Sequence, residues 1–261
     1  LAHARRVLDE AANIRAYAAN ERGEHAGRLV LATTHTQARH VLPWAIAGIK
    51  RAFAQVSVHL QPLGDGEVLQ QLARGAADFA VISTSGETPD GGLAVPLYRW
   101  RRVVLVPRRH RFATLGRAPT LAELAAEPLV SYESSIRPDS SFRRAFAQAG
   151  LEPTLAMTAR DADLIKTYVR AGLGVGLLAE MAVEHDHDDG LVALPAPAFP
   201  ECVAWAVLPR ERVLRDYALE LLKAMAPQLD RRDLRRVLEG NAEPRWPTPP
   251  TWPELSQAIT S

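Results

Sequence analysis

The apolar residues of this chain fall into short runs separated by stretches in which they recur every three or four positions. Leu29-Val30-Leu31, Val56-Ser57-Val58-His59-Leu60 and Phe79-Ala80-Val81-Ile82 read as strands, while Leu42, Ile46, Ile49 and Phe53 share one face of a helix. The pattern predicts strand 28–33, helix 36–53, strand 56–60, helix 65–74 and strand 78–83. Residues 84–92 are polar and rich in Gly and Pro, so they form a loop. Short strands 93–97 and 102–107 flank Tyr98-Arg99-Trp100-Arg101. A second alternating series follows: helix 120–126, strand 129–132, helix 139–149, strand 154–158, helix 162–171 and strand 174–179. Gly150 and Gly172 close two of these helices. Strands 191–194 and 202–208 and helix 213–225 complete the series. Such alternation predicts an α/β fold with parallel sheets and right-handed crossovers, whose ligands sit beyond the C-terminal strand ends.

The pattern changes at both ends. Residues 2–22 form a helix with a narrow apolar stripe, Val7, Ala11, Ile14 and Ala18. That stripe suits either a partner or the helix's own domain. From Arg231 a short basic helix, 231–236, leads to a stretch rich in Pro and Trp between Pro244 and Pro253. This tail is either an arm that docks on a partner or a poorly ordered terminus, and the second is expected.

Candidate chemistry concentrates in Ala32-Thr33-Thr34-His35-Thr36-Gln37-Ala38-Arg39, where the first strand turns into the first following helix. A helix start leaves backbone N–H groups unpaired and favours anions. Thr34, Thr36 and Gln37 add side-chain donors, and Ser83-Thr84 lie at the end of another strand. Both stretches therefore reach the edge where an α/β sheet binds its ligand.

Composition narrows the classes. The chain has 261 residues, 47% hydrophobic and 23% charged, which suits one large domain or two smaller ones. A net charge of +1 excludes a global basic field of the kind that holds nucleic acid. The single cysteine, Cys202, precludes an internal disulfide, suits a reducing compartment and sits in an apolar run as a small core residue. No apolar stretch approaches the roughly 18 residues of a membrane span. The N-terminus lacks both Met and the apolar core of a signal peptide, so the chain reads as a fragment of something longer.

Thr33-Thr34-His35-Thr36-Gln37-Ala38-Arg39 and the stretch from Asp161 to Gly176, Asp-Ala-Asp-Leu-Ile-Lys-Thr-Tyr-Val-Arg-Ala-Gly-Leu-Gly-Val-Gly, carry a family resemblance. So do Gly75-Ala76-Ala77-Asp78-Phe79-Ala80, Trp100 after Pro96-Leu97-Tyr98, and Pro128-Leu129-Val130-Ser131-Tyr132. Together they run from about residue 27 to 229, and the chain resembles the effector-binding part of LysR-type transcriptional regulators, on the cysteine-regulon branch. The resemblance implies two Rossmann-like subdomains joined by two crossover strands, as in periplasmic binding proteins, with an effector cleft between them. It implies a linker helix over 1–25, subdomain I over 26–99 and 203–229, subdomain II over 100–202, and a tail over 230–261. The winged helix-turn-helix that reads DNA is absent from the sequence in hand. The implied effectors are acetylserine or sulfate-like anions, thiosulfate and sulfonates included. The positions matching the family's anion site are Thr34, Thr36, Gln37 and Ser83; Thr33, Trp100, Ser134 and Ser135 are candidate cleft-lining residues. The implied protein is cytoplasmic, forms a homodimer or homotetramer, and needs no cofactor.

Two departures bear on the ligand. Arg160 stands where the family has threonine just before the Asp-Ala-Asp helix start. Its planar fork suits a carboxylate or sulfonate, although it can equally turn out to solvent. The loop Leu63-Gly64-Asp65-Gly66-Glu67 departs from the Ser, Pro and Thr pattern of the branch. If it lines the cleft, Asp65 or Glu67 repels an anion or pairs with Arg160.

Other constellations read more simply. Gly172-x-Gly174-x-Gly176 follows a helix and opens a strand, the reverse of a dinucleotide fingerprint, so it is a cap and a close-packing device. His185-Asp186-His187-Asp188-Asp189 has ligand-type side chains but reads as a solvated loop, and no metal is expected. Arg108-Arg109-His110-Arg111 reads as a solvated turn, with DNA phosphate as the alternative. Asp161 and Asp163 sit at a helix start and read as caps, and Ser134-Ser135 have no partnering His, so no enzyme is expected. The alternative to a regulator is a periplasmic-type solute-binding protein for a small anion, which shares the two-lobed fold.

Overall fold

The short apolar runs pair edge to edge into two five-stranded sheets in the computed structural model, which describes residues 2–184, 188–210 and 212–260. In chain order come α1 (Ala2–Glu21), β1 (Gly27–Thr34), α2 (His35–His40), α3 (Leu42–Ala52), β2 (Val56–Leu63), α4 (Asp65–Ala73), β3 (Phe79–Thr84) and β4 (Leu93–Trp100). Then follow β5 (Arg102–Pro107), α5 (Leu121–Ala125), β6 (Pro128–Tyr132), α6 (Ser141–Gln148), β7 (Thr154–Ala159), α7 (Ala162–Arg170), β8 (Val175–Ala179) and β9 (Leu191–Pro195). The chain ends with β10 (Cys202–Leu208), α8 (Asp216–Met225), α9 (Arg231–Leu238) and α10 (Trp252–Thr260). Residues 1–98 and 204–261 make one unit and residues 99–203 a second. The chain leaves the first unit within β4 and returns to it within β10.

The first unit is built on the sheet β2-β1-β3-β10-β4. Strand β1 is parallel to both neighbours, with Leu31 opposite Leu60 on one side and Phe79 on the other. Leu29, Leu31, Phe79 and Val81 are fully buried, as expected of a parallel strand covered on both faces. The single helix expected over 36–53 is two, α2 and α3, broken at Val41. Pro43, in the first turn of α3, has no N–H to continue the ladder from α2, so the break falls just before it.

The second unit carries the sheet β7-β6-β8-β5-β9. Strands β7 and β8 flank β6 in parallel, but β5 is antiparallel to β8 and to β9, so the sheet is mixed where a parallel one is expected. Only Arg101 separates β5 from β4, so no crossover helix sets its direction. The three glycines after α7 do what their placement predicts. Gly172 has φ +80° and, with Leu173, caps the helix through N–H bonds to Val169 and Tyr168 carbonyls. A Cβ on Gly174 would stand 2.2 Å from the Pro128 carbonyl oxygen.

The tail departs from expectation. Leu234 and Leu255 are buried, and the Trp246 indole N–H donates to the Ala94 carbonyl at 2.9 Å. Trp246 and Trp252 meet β4, the edge strand of the first sheet, and the burial of the tail's leucines offsets the entropy of ordering the segment. No helix among the described residues is long and apolar enough to cross a membrane.

Candidate functional site

At the β1–α2 turn, two adjacent threonines have different work. Thr33 is fully buried and its hydroxyl donates to the Val81 carbonyl at 3.1 Å, fastening β1 to β3. Thr34 is half-buried, has extended backbone at the N-cap of α2, and makes no side-chain cap bond. Alternation along the strand separates them: neighbouring residues point to opposite sides. Thr36 and Gln37 follow in the first turn of α2, both buried. With six residues, α2 brings little macrodipole, so the turn's donors are local N–H and O–H groups.

Gln37 is the hinge of this arrangement. Its Nε2–H donates to Ser83 Oγ at 3.2 Å, and the Tyr98 hydroxyl donates to its Oε1. Tyr98 is fully buried, and burial drives its phenol well above the ordinary range, so it stays a proton donor. Ser83 stands two residues beyond Val81, and Thr84 after it accepts from the Trp205 indole at 2.9 Å. The C-terminal ends of β1 and β3 thus bring Gln37 and Ser83 together in a polar corner of the first unit, with Thr34 and Thr36 next to Gln37 along the chain. In the same unit Glu67 accepts from the Gly64 N–H at 3.1 Å, which makes it a cap at the start of α4.

The remaining candidates lie on the second unit. Arg160 is exposed and its Nε donates to Glu133 at 2.6 Å. The two side chains keep 52% and 51% of their accessibility, which places the pair in the class worth about 0–1 kcal/mol. Asp161, next to it, caps α7 by accepting from the N–H groups of Asp163 and Leu164 at 2.6 and 3.3 Å, as its position predicts. Ser135 is buried, with its hydroxyl 3.0 Å from Ser131 Oγ, which donates to the Leu177 carbonyl. Its polar group serves the strand. Ser134 is half-buried and its carbonyl accepts from Arg137. Trp100 is buried beneath the Arg102 guanidinium, 5.8 Å from its ring centroid.

Several functional-looking groups are structural. Lys166, buried within the Asp-Ala-Asp-Leu-Ile-Lys motif, bonds the Ala182 carbonyl at 2.9 Å and Asp188 and Asp163 at 3.3 and 3.1 Å. Arg170 reaches the same Asp188 at 2.8 Å. Cys202 is buried and burial pushes its thiol up, an effect only partly offset by Arg102 at 3.5 Å, so it is a core thiol. Among the described residues no group of three His, Cys, Asp or Glu is placed to hold a metal. His185, Asp186 and His187 of the acidic-histidine run lie outside the described residues. Arg108 and Arg109 are exposed in a turn, and Arg111 pairs with Glu127 at 2.7 Å. Tyr98 is the residue that pattern reading passes over: nothing local marks a strand tyrosine as the anchor of a glutamine 61 positions earlier.

Two α/β units, threaded by a chain that leaves the first and returns to it, with a polar corner at the strand ends, define a small-molecule-sensing domain of the periplasmic-binding-protein type. Residues 22–230 match the family model described as LysR substrate binding domain, and the chain belongs to the LysR family of transcription regulators, which are not enzymes. It is 35% identical to the HTH-type transcriptional regulator SsuR of Burkholderia cenocepacia over 89% of this chain and 76% of that protein. Against the HTH-type transcriptional regulator CysB of the same species the identity is 33%, over 93% of this chain and 78% of the relative. The crystal structure of the cofactor-binding domain of the Cbl transcriptional regulator superposes with a TM-score of 0.74 at 32% identity, covering 82% of this chain and 94% of that one.

Proposed function

We propose that this chain is the effector-sensing part of a cytoplasmic regulator of sulfur assimilation or of cysteine or sulfonate metabolism. Its effector is a small anion of the acetylserine, sulfate, thiosulfate or sulfonate class. Thr34, Thr36, Gln37 and Ser83 are its hydrogen-bond donors and Arg160 its charge partner. The observation that carries the reading is the polar corner of the first unit, where Gln37 is held by Tyr98 and Ser83 while the Thr34 hydroxyl makes no cap bond. The relatedness to CysB, SsuR and Cbl supports the sulfur assignment.

Effector binding favours one conformation of the regulator over another and so changes how its DNA-reading part engages an operator. Pairing with a second copy is supported by apolar side chains left exposed in helices: Val7, Ile14 and Tyr17 on α1, and Leu164 and Tyr168 one turn apart on α7. The Arg160–Glu133 pair is weak enough to be exchanged for a ligand. Thermal shifts with acetylserine, sulfate, thiosulfate and a sulfonate test the reading directly. A ligand at a hundred times its Kd adds about 2.7 kcal/mol of stability. R160T then changes the order of preference within the panel, and E133Q raises affinity by removing the competing carboxylate. No stabilisation by any member of the panel refutes the effector assignment; an unchanged order in R160T removes Arg160 from the site.

A further inference from the structure

The C-terminal segment is tied to β4 at three points. Trp246 donates to the Ala94 carbonyl at 2.9 Å, and Gln228, just before α9, donates to the Pro96 and Leu97 carbonyls at 3.1 and 3.3 Å. Next along the strand is Tyr98, whose ring lies 5.4 Å, centroid to centroid, from that of Trp252 at the start of α10. The turn before α10 is itself fixed, because Glu254 accepts from both the N–H and the hydroxyl of Thr251 at 2.7 and 2.8 Å. Leu255 anchors the helix from inside. Trp252, Tyr98, Gln37 and Ser83 therefore form one unbroken line of contact within the first unit.

We propose that the C-terminal segment is a strap that sets the anion-binding turn, with Trp252 as a positioning residue acting on Gln37 through Tyr98. This rests on the effector reading above only in so far as it concerns affinity. The Tyr98 hydroxyl stands at the far end of its ring, so rocking of the ring is amplified where it meets Gln37. A tilted aromatic pair holds the ring against such rocking. Gln37 spends its Oε1 on Tyr98 and one Nε2–H on Ser83, which aims the second Nε2–H; loosen Tyr98 and the amide is free to flip. The strap thereby makes the tail, far away in sequence, part of the effector turn.

The test uses the full chain carrying W252A, W252L, W252F or Y98F. Its first readout is the side-chain Nε2 resonances of Gln37 in a nitrogen-15 spectrum, together with amide exchange over 34–40; neither needs a ligand. W252A and W252L shift and broaden the Gln37 signals and speed exchange, W252F restores both, and Y98F perturbs Gln37 with Trp252 in place. Calorimetry with sulfate and with acetylserine is the second readout, with affinity about fivefold weaker in W252A and W252L, the loss of one well-aimed hydrogen bond, and recovered in W252F. Should W252A fail to fold, W252L and W252F carry the comparison. Parent-like Gln37 signals in W252L overturn the strap. Perturbed signals in variants of a parent that binds none of acetylserine, sulfate, thiosulfate and a sulfonate leave the strap standing and overturn the effector reading instead.

Discussion

Thr33 and Thr34 offer a crossed test, because neighbours with the same side chain are assigned opposite roles. The Thr33 hydroxyl is buried and bonded to the Val81 carbonyl at 3.1 Å, so T33V keeps the volume and leaves a buried acceptor short of a partner. Such a loss costs roughly 1–2 kcal/mol. In a chain of this size that lowers the melting temperature by about 2–8 °C. The Thr34 hydroxyl makes no cap bond, so T34A forgoes little of the roughly 1 kcal/mol that an N-cap threonine usually contributes. On the proposed reading it removes a donor from the anion, and bonds to charged groups are worth about 1.5–3 kcal/mol, which is tenfold or more in affinity. Differential scanning calorimetry on both variants, with titration calorimetry against acetylserine and sulfate, reads both axes. The expected pattern is a less stable T33V with parental affinity and a T34A of parental stability with weakened binding. A T34A that melts early and binds normally reverses the roles and refutes the placement of the anion at this turn.

Lys166 and Glu123 give two further tests. K166M leaves Asp188 buried with Arg170 and the Glu184 N–H as its remaining partners, and loses about 3 kcal/mol of stability by denaturant titration; a loss under 1 kcal/mol would show that Lys166 is replaceable there. Glu123 is held down to about 2 by Arg117, and by the Thr120 N–H, so its folded-state value lies below the ordinary 4.5. The stability it confers is present above pH 4.5 and is lost as the pH falls towards 2. E123Q therefore flattens the acid limb of a stability–pH curve over that window, and an acid limb identical to the parent's assigns the sensitivity to other carboxylates.

What could be read from the sequence follows from how local each interaction is. The strands were legible because β1, β2 and β3 are short apolar runs bounded by polar turns, and the glycines after α7 because a cap and a tight packing site lie next to each other in sequence. Pro43 was equally visible, and its missing N–H is enough to split the helix at Val41; the helical spacing of Leu42, Ile46 and Ile49 masked it. The same alternation that defines β1 separates Thr33 from Thr34, a signal the sequence itself carries. Tyr98 and Trp252 were not legible. Their partners lie far along the chain, and a run of Pro and Trp looks like a loose end until the edge strand it covers is known.

The polar groups of the candidate site sort by whether their bonding capacity is already spent. Thr33, Ser131 and Ser135 give their hydroxyls to strands and one another, so a ligand would have to break the frame to reach them. Arg160 spends its charge on an exposed carboxylate, a bond that water already weakens and that a better anion can replace at little cost. Gln37 lies between these cases: its two internal bonds are what aim it, so it is preorganised rather than consumed, and preorganised donors need no reordering when a ligand arrives. Under the proposed function, selectivity for the anion's shape then falls to the turn, where Tyr98 holds Gln37. Selectivity for its charge falls, under the same proposal, to Arg160, and R160T reads it out.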